Sequence, residues 1–116
     1  MIERSYTGAP PRMALPKGAI DTHLHVYLPN HPAQPGGPAL PVGLPGLAEY
    51  RQVMDWLGIE RFVICQGNAH QTDHGNLIEA LQSVGDGVRG VAAIDGATSD
   101  AEVALLSEAA WWGHGL

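Results

Sequence analysis

The sequence predicts an α/β fold built from parallel strands that alternate with helices. Three short apolar segments recur along the 116 residues, and each is followed by a segment whose apolar residues have helical spacing. Strands that are apolar on both faces are typical of parallel sheets covered by helices. Three such β-α units fit either part of an open, doubly wound sheet or part of a (β/α)8 barrel.

The first unit follows a lead-in that is rich in proline. Residues 1–16 are predicted to be irregular, and the domain is expected to span residues 17–116. A first strand is predicted over residues 17–25, followed by a long loop over residues 26–46. This loop lacks the short glycine-rich turn that binds phosphate in dinucleotide-binding domains. A nucleotide site is therefore not expected, and the barrel is favoured.

The first helix is predicted over residues 47–57, because its apolar residues recur at helical spacing and Gly58 can end it. The β-branched segment 60–65 is predicted to be a buried second strand. A polar loop over residues 66–75 comes next. The second helix is marked by four apolar residues, Leu77, Ile78, Leu81 and Val84.

The third unit is bounded by turn and capping residues. Gly85 and Gly87 are expected to end the second helix, and a third strand is predicted over residues 88–94. Ser99 followed three positions later by Glu102 is the pattern of a capping box, so a third helix is predicted to begin there. The predicted order is therefore β-α-β-α-β-α.

The motif with the most chemical content is Asp-Thr-His-Leu-His at residues 21–25. Side chains alternate along a regular strand, so Asp21, His23 and His25 are predicted to point to one face. They lie at the carboxyl end of the strand, where parallel α/β folds place their sites. Two imidazoles on one face can hold a metal ion or a polar ligand. Asp21 either orients an imidazole or binds nearby backbone groups, and the sequence leaves both possibilities open.

The polar loop after the second strand is dense in amides and imidazoles. Asn68 and His70, near the strand end, are predicted to contact a ligand. Asn76 is expected to cap the following helix, although Asp73 could also do so. His31 and His74 are expected to be solvated loop residues. Tyr27 and Tyr50 either reach the pocket or pack as aromatic side chains.

The long loop carries prolines at a strict three-residue period, at positions 29, 32, 35, 38 and 41. This is the period of a polyproline II helix, which would make the chain a noncatalytic α/β interaction module that binds an SH3-type partner. No Lys or Arg lies between Lys17 and Arg51, and Gly36 and Gly37 interrupt the series. The favoured prediction is a stiff loop packed over the strand ends.

Composition limits the partners. The net charge is −6, the six Lys and Arg are scattered, and no apolar segment reaches the length of a membrane span, so neither nucleic acid nor a membrane is expected as a partner. Cys65 is single, which rules out an intrachain disulfide and agrees with a cytoplasmic location. Because it lies in an apolar strand, Cys65 is predicted to be a core residue.

Three segments resemble a known family. Residues 16–26 (Pro-Lys-Gly-Ala-Ile-Asp-Thr-His-Leu-His-Val) resemble the first strand of the amidohydrolase superfamily in its amidohydrolase-related branch. Residues 57–66 and 89–95 resemble the second and third strands of that branch. The loop Gln-Gly-Asn-Ala-His-Gln at residues 66–71 is similar to that of its lactone-handling members.

This resemblance implies a (β/α)8 barrel enzyme that isomerises sugar-diacid lactones of the galactarolactone type. Lactone hydrolysis, or another metal-dependent amidohydrolase or decarboxylase reaction, is the alternative it leaves open. His23 and His25 would then be the catalytic first-strand pair, and Tyr27, Asn68 and His70 are candidate substrate-binding residues. No cofactor is expected, the alternative being one divalent metal ion such as zinc on His23 and His25. The expected partner is a small lactone or dicarboxylate.

A complete barrel needs about 250 residues. The 116 residues are therefore expected to form an N-terminal, catalytically incomplete part of such an enzyme, with three of its β-α units. The catalytic base and the remaining site residues would lie beyond Leu116, and the oligomeric state stays open.

Overall fold

The predicted alternation of strands and helices is confirmed. The structure is a computed structural model, and it describes residues 3–84 and 88–114. The elements in chain order are β1 (Ile20–Leu24), α1 (Leu47–Leu57), β2 (Arg61–Cys65), a short 3₁₀ helix (Asn68–His70), α2 (Gly75–Ser83), β3 (Val88–Val91) and α3 (Asp100–His114).

The three strands form one parallel sheet in the order β1-β2-β3. Phe62 of β2 pairs with Val88, and Ile64 pairs with Gly90, without a break in register. All three strands point the same way, so their carboxyl ends meet at one edge of the sheet. That edge carries the residues predicted to form a site.

The core lies between the sheet and the helices. Its buried members are Leu24, Val26, Phe62, Ile64, Leu77, Ala80, Leu81, Val84, Val88 and Ala109. Ile64 and Leu77 are among the most deeply buried side chains, and each stabilises the fold by about 1.5–3 kcal/mol through burial. Gly90 lets α2 approach β3, because a Cβ at that position would lie 2.7 Å from Leu81 Cδ1.

Two helix boundaries follow the local sequence as predicted. Gly58 adopts a left-handed conformation (φ +79°) at the end of α1, and its N–H donates to the Met54 carbonyl at 2.8 Å. Ser99 and Glu102 form a reciprocal pair before α3. The Ser99 N–H donates to Glu102 Oε2 at 2.7 Å, and the Glu102 N–H donates to Ser99 Oγ at 3.2 Å. Over the described residues, no helix is long and apolar enough to cross a membrane.

Other boundaries differ from the predictions. β1 is shorter than residues 17–25, and β3 ends at Val91 and not at residue 94. α2 ends at Ser83 because Val84 is already extended (φ −104°, ψ 161°). The glycines expected to end it, at positions 85 and 87, lie outside the described residues.

The expected helix cap at Asn76 is wrong. Asn76 lies inside the first turn of α2 with a buried side chain, and it binds the chain that leaves β1. Its Nδ2 donates to the Val26 carbonyl at 2.9 Å, and its Oδ1 accepts from the Leu28 N–H at 2.8 Å. Asp73 binds the start of the helix, because its Oδ1 accepts from the Gly75 N–H at 3.0 Å.

The proline-rich loop packs against the loop that follows β2, at residues 68–71. The Gln34 N–H donates to the Ala69 carbonyl at 2.8 Å, and a Cβ at Gly37 would lie 2.6 Å from Gln71 Nε2. Positive φ angles at Asn30 (70°) and Gly36 (96°) interrupt the backbone that a continuous polyproline II helix requires.

Candidate active site at the carboxyl ends of the strands

A cavity of about 410 Å³ opens where the three strands end. It is lined by Thr22, His23, His25, Cys65, Gln66, Val91, Ala92 and Ala93. Both histidines of the sequence motif are therefore in one cavity, as the motif predicts. This edge is where parallel α/β folds bind their ligands.

The two imidazoles are neighbours. Their ring centroids are 5.0 Å apart and the ring planes are nearly perpendicular, at 85°. Both residues are exposed, so a ligand in the cavity can reach them. Two rings at this separation can contact the same group of a small molecule.

A backbone hydrogen bond fixes the protonation of His25. His25 Nδ1 lies 2.9 Å from the Cys65 carbonyl oxygen, which can only accept, so Nδ1 carries a proton. In the neutral ring Nε2 is then the nitrogen with the free lone pair. His25 can accept a proton or bind a metal through Nε2. Cys65 is buried as predicted, and it also positions this ring.

The predicted common face of Asp21 and the two histidines is wrong. Asp21 pairs with Phe62 and Leu24 pairs with Ile64. Two residues of β1 therefore lie between these pairs, against one residue of β2, which is the pattern of a β-bulge. One extra residue in β1 shifts the alternation of side chains. As a result the Asp21 carboxylate contacts α1, whereas the histidines line the cavity.

Asp21 binds backbone and a tyrosine and not an imidazole. Its Oδ1 accepts from the His23 N–H at 3.0 Å, and its Oδ2 accepts from the Tyr50 hydroxyl at 2.7 Å. The Tyr50 ring packs edge-on against Phe62, with centroids 5.1 Å apart. Burial, followed by the hydrogen bond and the charge of Asp21, raises the pKa of Tyr50. Tyr50 therefore packs against Phe62, and together with His25 it also lines a smaller cavity of about 120 Å³. Both alternatives that the sequence left open for Tyr50 thus stay predictions.

Sequence reasoning missed Gln66, which joins three segments at the edge of the cavity. Its Nε2 donates to the carbonyls of Gln71 (2.7 Å) and Asp73 (2.9 Å), and its Oε1 accepts from the Ala93 N–H (3.0 Å). The position of a glutamine directly after a buried strand was the available clue. Its partners on the third unit could not be known from the local sequence.

The remaining candidates form a second group beside the loop after β2. Tyr27 and His70 have ring centroids 5.9 Å apart, and burial raises the pKa of Tyr27. His70 is buried, its Nε2 donates to the His31 carbonyl at 2.9 Å, and its Nδ1 has no partner among the described residues. Asn68 is exposed, and its Oδ1 accepts from Gln71 Nε2 at 2.7 Å. None of Tyr27, Asn68 and His70 lines the cavity of the histidine pair.

The expectation that His74 is solvated is wrong. Only 7% of the residue is exposed, because its Nε2 donates to the Ala93 carbonyl at 2.7 Å and so ties the start of α2 to the chain after β3. His31 is partly exposed, and its Nε2 donates to Glu79 Oε1 at 3.0 Å.

A larger cavity, of about 600 Å³, lies between the loop after β2, α2 and α3. Its walls include Asp73 and Glu102, and it contains neither histidine of the pair. Size alone does not make it the site, because the groups with acid-base or ligand chemistry converge on the smaller cavity.

The donor set for a metal is partial. His23 and His25 offer two imidazole nitrogens, and within residues 3–84 and 88–114 no group of three His, Cys, Asp or Glu residues could hold an ion. Protein sites for zinc supply at least three ligands. These two residues could therefore be part of a metal site only together with ligands from other residues.

The chain is homologous to lactone isomerases and hydrolases, whose sequences and fold it shares over part of their length. It is 46% identical over 109 residues to D-galactarolactone isomerase from Agrobacterium fabrum, a match that covers 93% of this chain and 37% of the relative. It is 35% identical over 101 residues to 2-pyrone-4,6-dicarboxylate hydrolase from Comamonas testosteroni, which covers 85% of this chain and 33% of the relative. No family model matches the chain.

The fold agrees with a crystal structure of an Agrobacterium tumefaciens protein in its apo form. The two share 46% identity and superpose with a TM-score of 0.84 over 92% of this chain and 38% of that chain. The chain thus spans little more than a third of the length of the relatives that it matches. Its parallel β-α units are those expected for part of a (β/α)8-type barrel.

Proposed function

We propose that this chain forms the first-strand side of the active site of an enzyme that isomerises sugar-diacid lactones of the galactarolactone type. One observation carries the proposal. His23 and His25 lie side by side at the strand ends, with the proton of His25 fixed on Nδ1, in a chain 46% identical to D-galactarolactone isomerase. The substrate is then a small lactone that carries one free carboxylate beside the ring ester.

The geometry suits acyl transfer within one molecule. Isomerisation of a lactone requires a hydroxyl of the substrate to attack the ring carbonyl and the former ring oxygen to leave. The sequence led us to expect the catalytic base beyond Leu116. We propose in its place that His25 Nε2 accepts the proton from the attacking hydroxyl, because Nδ1 is bound to the Cys65 carbonyl and leaves Nε2 with the free lone pair. The same nitrogen can return the proton to the leaving oxygen. His23, 5.0 Å away, is assigned to donate a hydrogen bond to the carbonyl oxygen.

The cavity supplies only part of such a site. The residues that line it include no Lys, Arg, Asp or Glu, so the group that binds the substrate carboxylate must come from other residues. We therefore expect the purified 116-residue chain to show no lactone turnover. Substantial lactone turnover by this chain would contradict the proposal that further site residues are needed.

The substrate-binding roles of Asn68, Tyr27 and His70 stay predictions. Asn68 is exposed beside the cavity residue Gln66 without lining the cavity itself, whereas His70 is buried and Tyr27 is partly buried. We propose that Asn68 contacts the substrate and that Tyr27 and His70 support the loop that carries it. The domain itself is proposed to begin at residue 17, in a protein that works in the cytoplasm without nucleic acid or membrane partners.

A segment exchange tests the function. Residues 16–109 of this chain would replace the matching segment of the Agrobacterium fabrum isomerase, and lactone isomerisation would be followed by NMR. We expect the chimera to be active, and His23→Ala and His25→Ala to lower kcat at least about 100-fold, as removal of a general acid-base group does. Asp100→Asn, on α3 and not among the residues that line the cavity, is the matched control. Full activity of the double histidine variant in a folded chimera would disprove the proposal.

Hydrolysis is the second candidate, since the chain is also 35% identical to 2-pyrone-4,6-dicarboxylate hydrolase. Release of an open-chain diacid in place of an isomeric lactone would identify it in the same NMR assay. A divalent ion such as zinc, held in part by His23 and His25, would polarise the lactone carbonyl. Metal analysis of the active chimera, with and without the two histidines, distinguishes this case.

A further inference from the structure

We propose that Asp21 and Tyr50 are positioning residues that turn His23 and His25 into the cavity. Their hydrogen bond links β1 to α1 at the point where β1 contains its extra residue. Neither residue lines the cavity that contains both histidines, so neither is assigned to touch the substrate there, although Tyr50 and His25 line a smaller cavity of about 120 Å³. This inference rests on the proposed function only in its kinetic test, because the NMR test measures the histidine side chains directly.

The pairing of β1 with β2 contains an irregularity that the two residues would stabilise. Between Asp21 and Leu24 the strand takes three steps against two steps of β2. In consequence two successive residues, Thr22 and His23, both line the cavity. A regular strand would direct Asp21 to the same face as His23 and His25 and place a carboxylate among the imidazoles. The bulge removes it from that face.

The Asp21 side chain forms a hydrogen bond across the bulge. One carboxylate oxygen accepts from the backbone N–H of His23, two residues ahead, at 3.0 Å. Aspartate bonds of this kind stabilise local departures from regular strand geometry. The bond spans the irregular residues and fixes the backbone from which the His23 side chain projects.

Tyr50 holds Asp21 in this orientation. Its hydroxyl donates to the other carboxylate oxygen at 2.7 Å, a distance typical of strong bonds to a charged acceptor. The Tyr50 ring packs against Phe62, which is buried and is also the register partner of Asp21. Burial and this hydrogen bond to Asp21 raise the pKa of Tyr50. Asp21, Tyr50 and Phe62 thus form one connected group that joins β1, α1 and β2.

The orientation of the His25 ring also depends on the path of β1. Its bond to the Cys65 carbonyl requires that β1, beyond the bulge, runs beside the end of β2. Loss of the bulge would shift the register by one residue and move His25 to the other face of the sheet. The proton position on His25 is therefore a direct probe of the bulge.

The first test uses histidine side-chain ¹⁵N NMR on the full 116-residue chain, with signals assigned by single histidine substitutions. We expect Tyr50→Phe and Asp21→Ala to shift the His25 proton from Nδ1 toward Nε2. Asp21→Asn, which keeps one acceptor oxygen, is expected to lie between them and the wild type. Trp56→Phe is the matched control, because it also removes one hydrogen bond from α1, that of Trp56 Nε1 to the Ala9 carbonyl at 2.8 Å.

The second test measures kinetics of the same variants in the segment-exchange chimera. A displacement of about 1 Å at reacting groups can cost about 100-fold in rate, so Tyr50→Phe is expected to lower kcat by about 10- to 100-fold with little change in KM. Unchanged His25 spectra and unchanged kcat in Tyr50→Phe would overturn the inference, even if stability fell. If Tyr50→Phe does not fold, the spectrum of Asp21→Asn decides in its place. Loss of the His25 tautomer without any role of the histidines in turnover would refute the proposed function and leave the positioning role intact.

Discussion

Replacement of Asn76 by alanine is the sharpest test of how the histidine strand is attached to the rest of the fold. The side chain makes two hydrogen bonds to the backbone just after β1, to the Val26 carbonyl and the Leu28 N–H. Val26 is 3% exposed, so water cannot replace the lost partner of its carbonyl, and a buried unpaired group costs about 1–3 kcal/mol. Leu28 is partly exposed, and its bond contributes about 0.5–1.5 kcal/mol.

The expected loss of stability for Asn76→Ala is therefore about 1.5–4.5 kcal/mol, measured as the change in urea midpoint at constant m-value. Ser83→Ala is the control on the same helix, because Ser83 Oγ donates one bond, to Ala80, and its removal should cost under about 1 kcal/mol. A loss below about 1 kcal/mol for Asn76→Ala would refute the claim that this residue clamps the strand. An ordinary helix cap would show about that smaller value.

Two further predictions concern packing and pH. Gly90→Ala is expected to destabilise the chain by about 1–3 kcal/mol in urea unfolding, because the added Cβ would lie 2.7 Å from Leu81 Cδ1. Gly96→Ala, with no atom within 4 Å, is its control, and equal effects of the two would contradict the close approach of α2. The pKa of Tyr50 is raised in the folded state above its ordinary value of 10.0, so the contribution of Tyr50 is fully present below pH 10 and is lost as the pH rises beyond it. Tyr50→Phe should make the free energy of unfolding less dependent on pH above 10. If the unfolding free energies of variant and wild type fall in parallel above pH 10, the pKa of the Tyr50 hydroxyl is not raised by folding.

The roles that we propose for the two histidines differ because their surroundings differ. His25 Nδ1 is bound to the Cys65 carbonyl, so Nε2 is the ring nitrogen left for a ligand. His23 has its backbone N–H bound by Asp21, while its ring is exposed in the cavity. An oriented acceptor beside a ring that is free to donate is a pair suited to proton transfer at a polarised carbonyl.

Several elements of the fold could be predicted because their causes are local. The range of α1 and its end at Gly58 follow from apolar spacing and one left-handed glycine. The start of α3 follows from Ser99 and Glu102, which bind each other across three residues. The histidine pair at the end of β1 could also be predicted, because a strand end is a local feature.

The errors occurred where a side chain binds a distant part of the chain. Asp21 faces Tyr50, 29 positions away, and the bulge that this requires interrupts the alternation expected from residues 21–25. Asn76 binds backbone groups 48 and 50 positions away and so cannot serve as a helix cap. His74 is buried because its partner, Ala93, lies 19 positions ahead, on the chain that follows β3.

The sequence by itself determined the order of the elements, the limits of α1 and the position of two imidazoles at the end of β1. Apolar period and capping residues act over one or two turns, so they can be recognised without knowing the fold. Only the tertiary structure decided which way Asp21 faces and which nitrogen of His25 is free, because each depends on a hydrogen-bond partner that folding brings from at least 29 positions away.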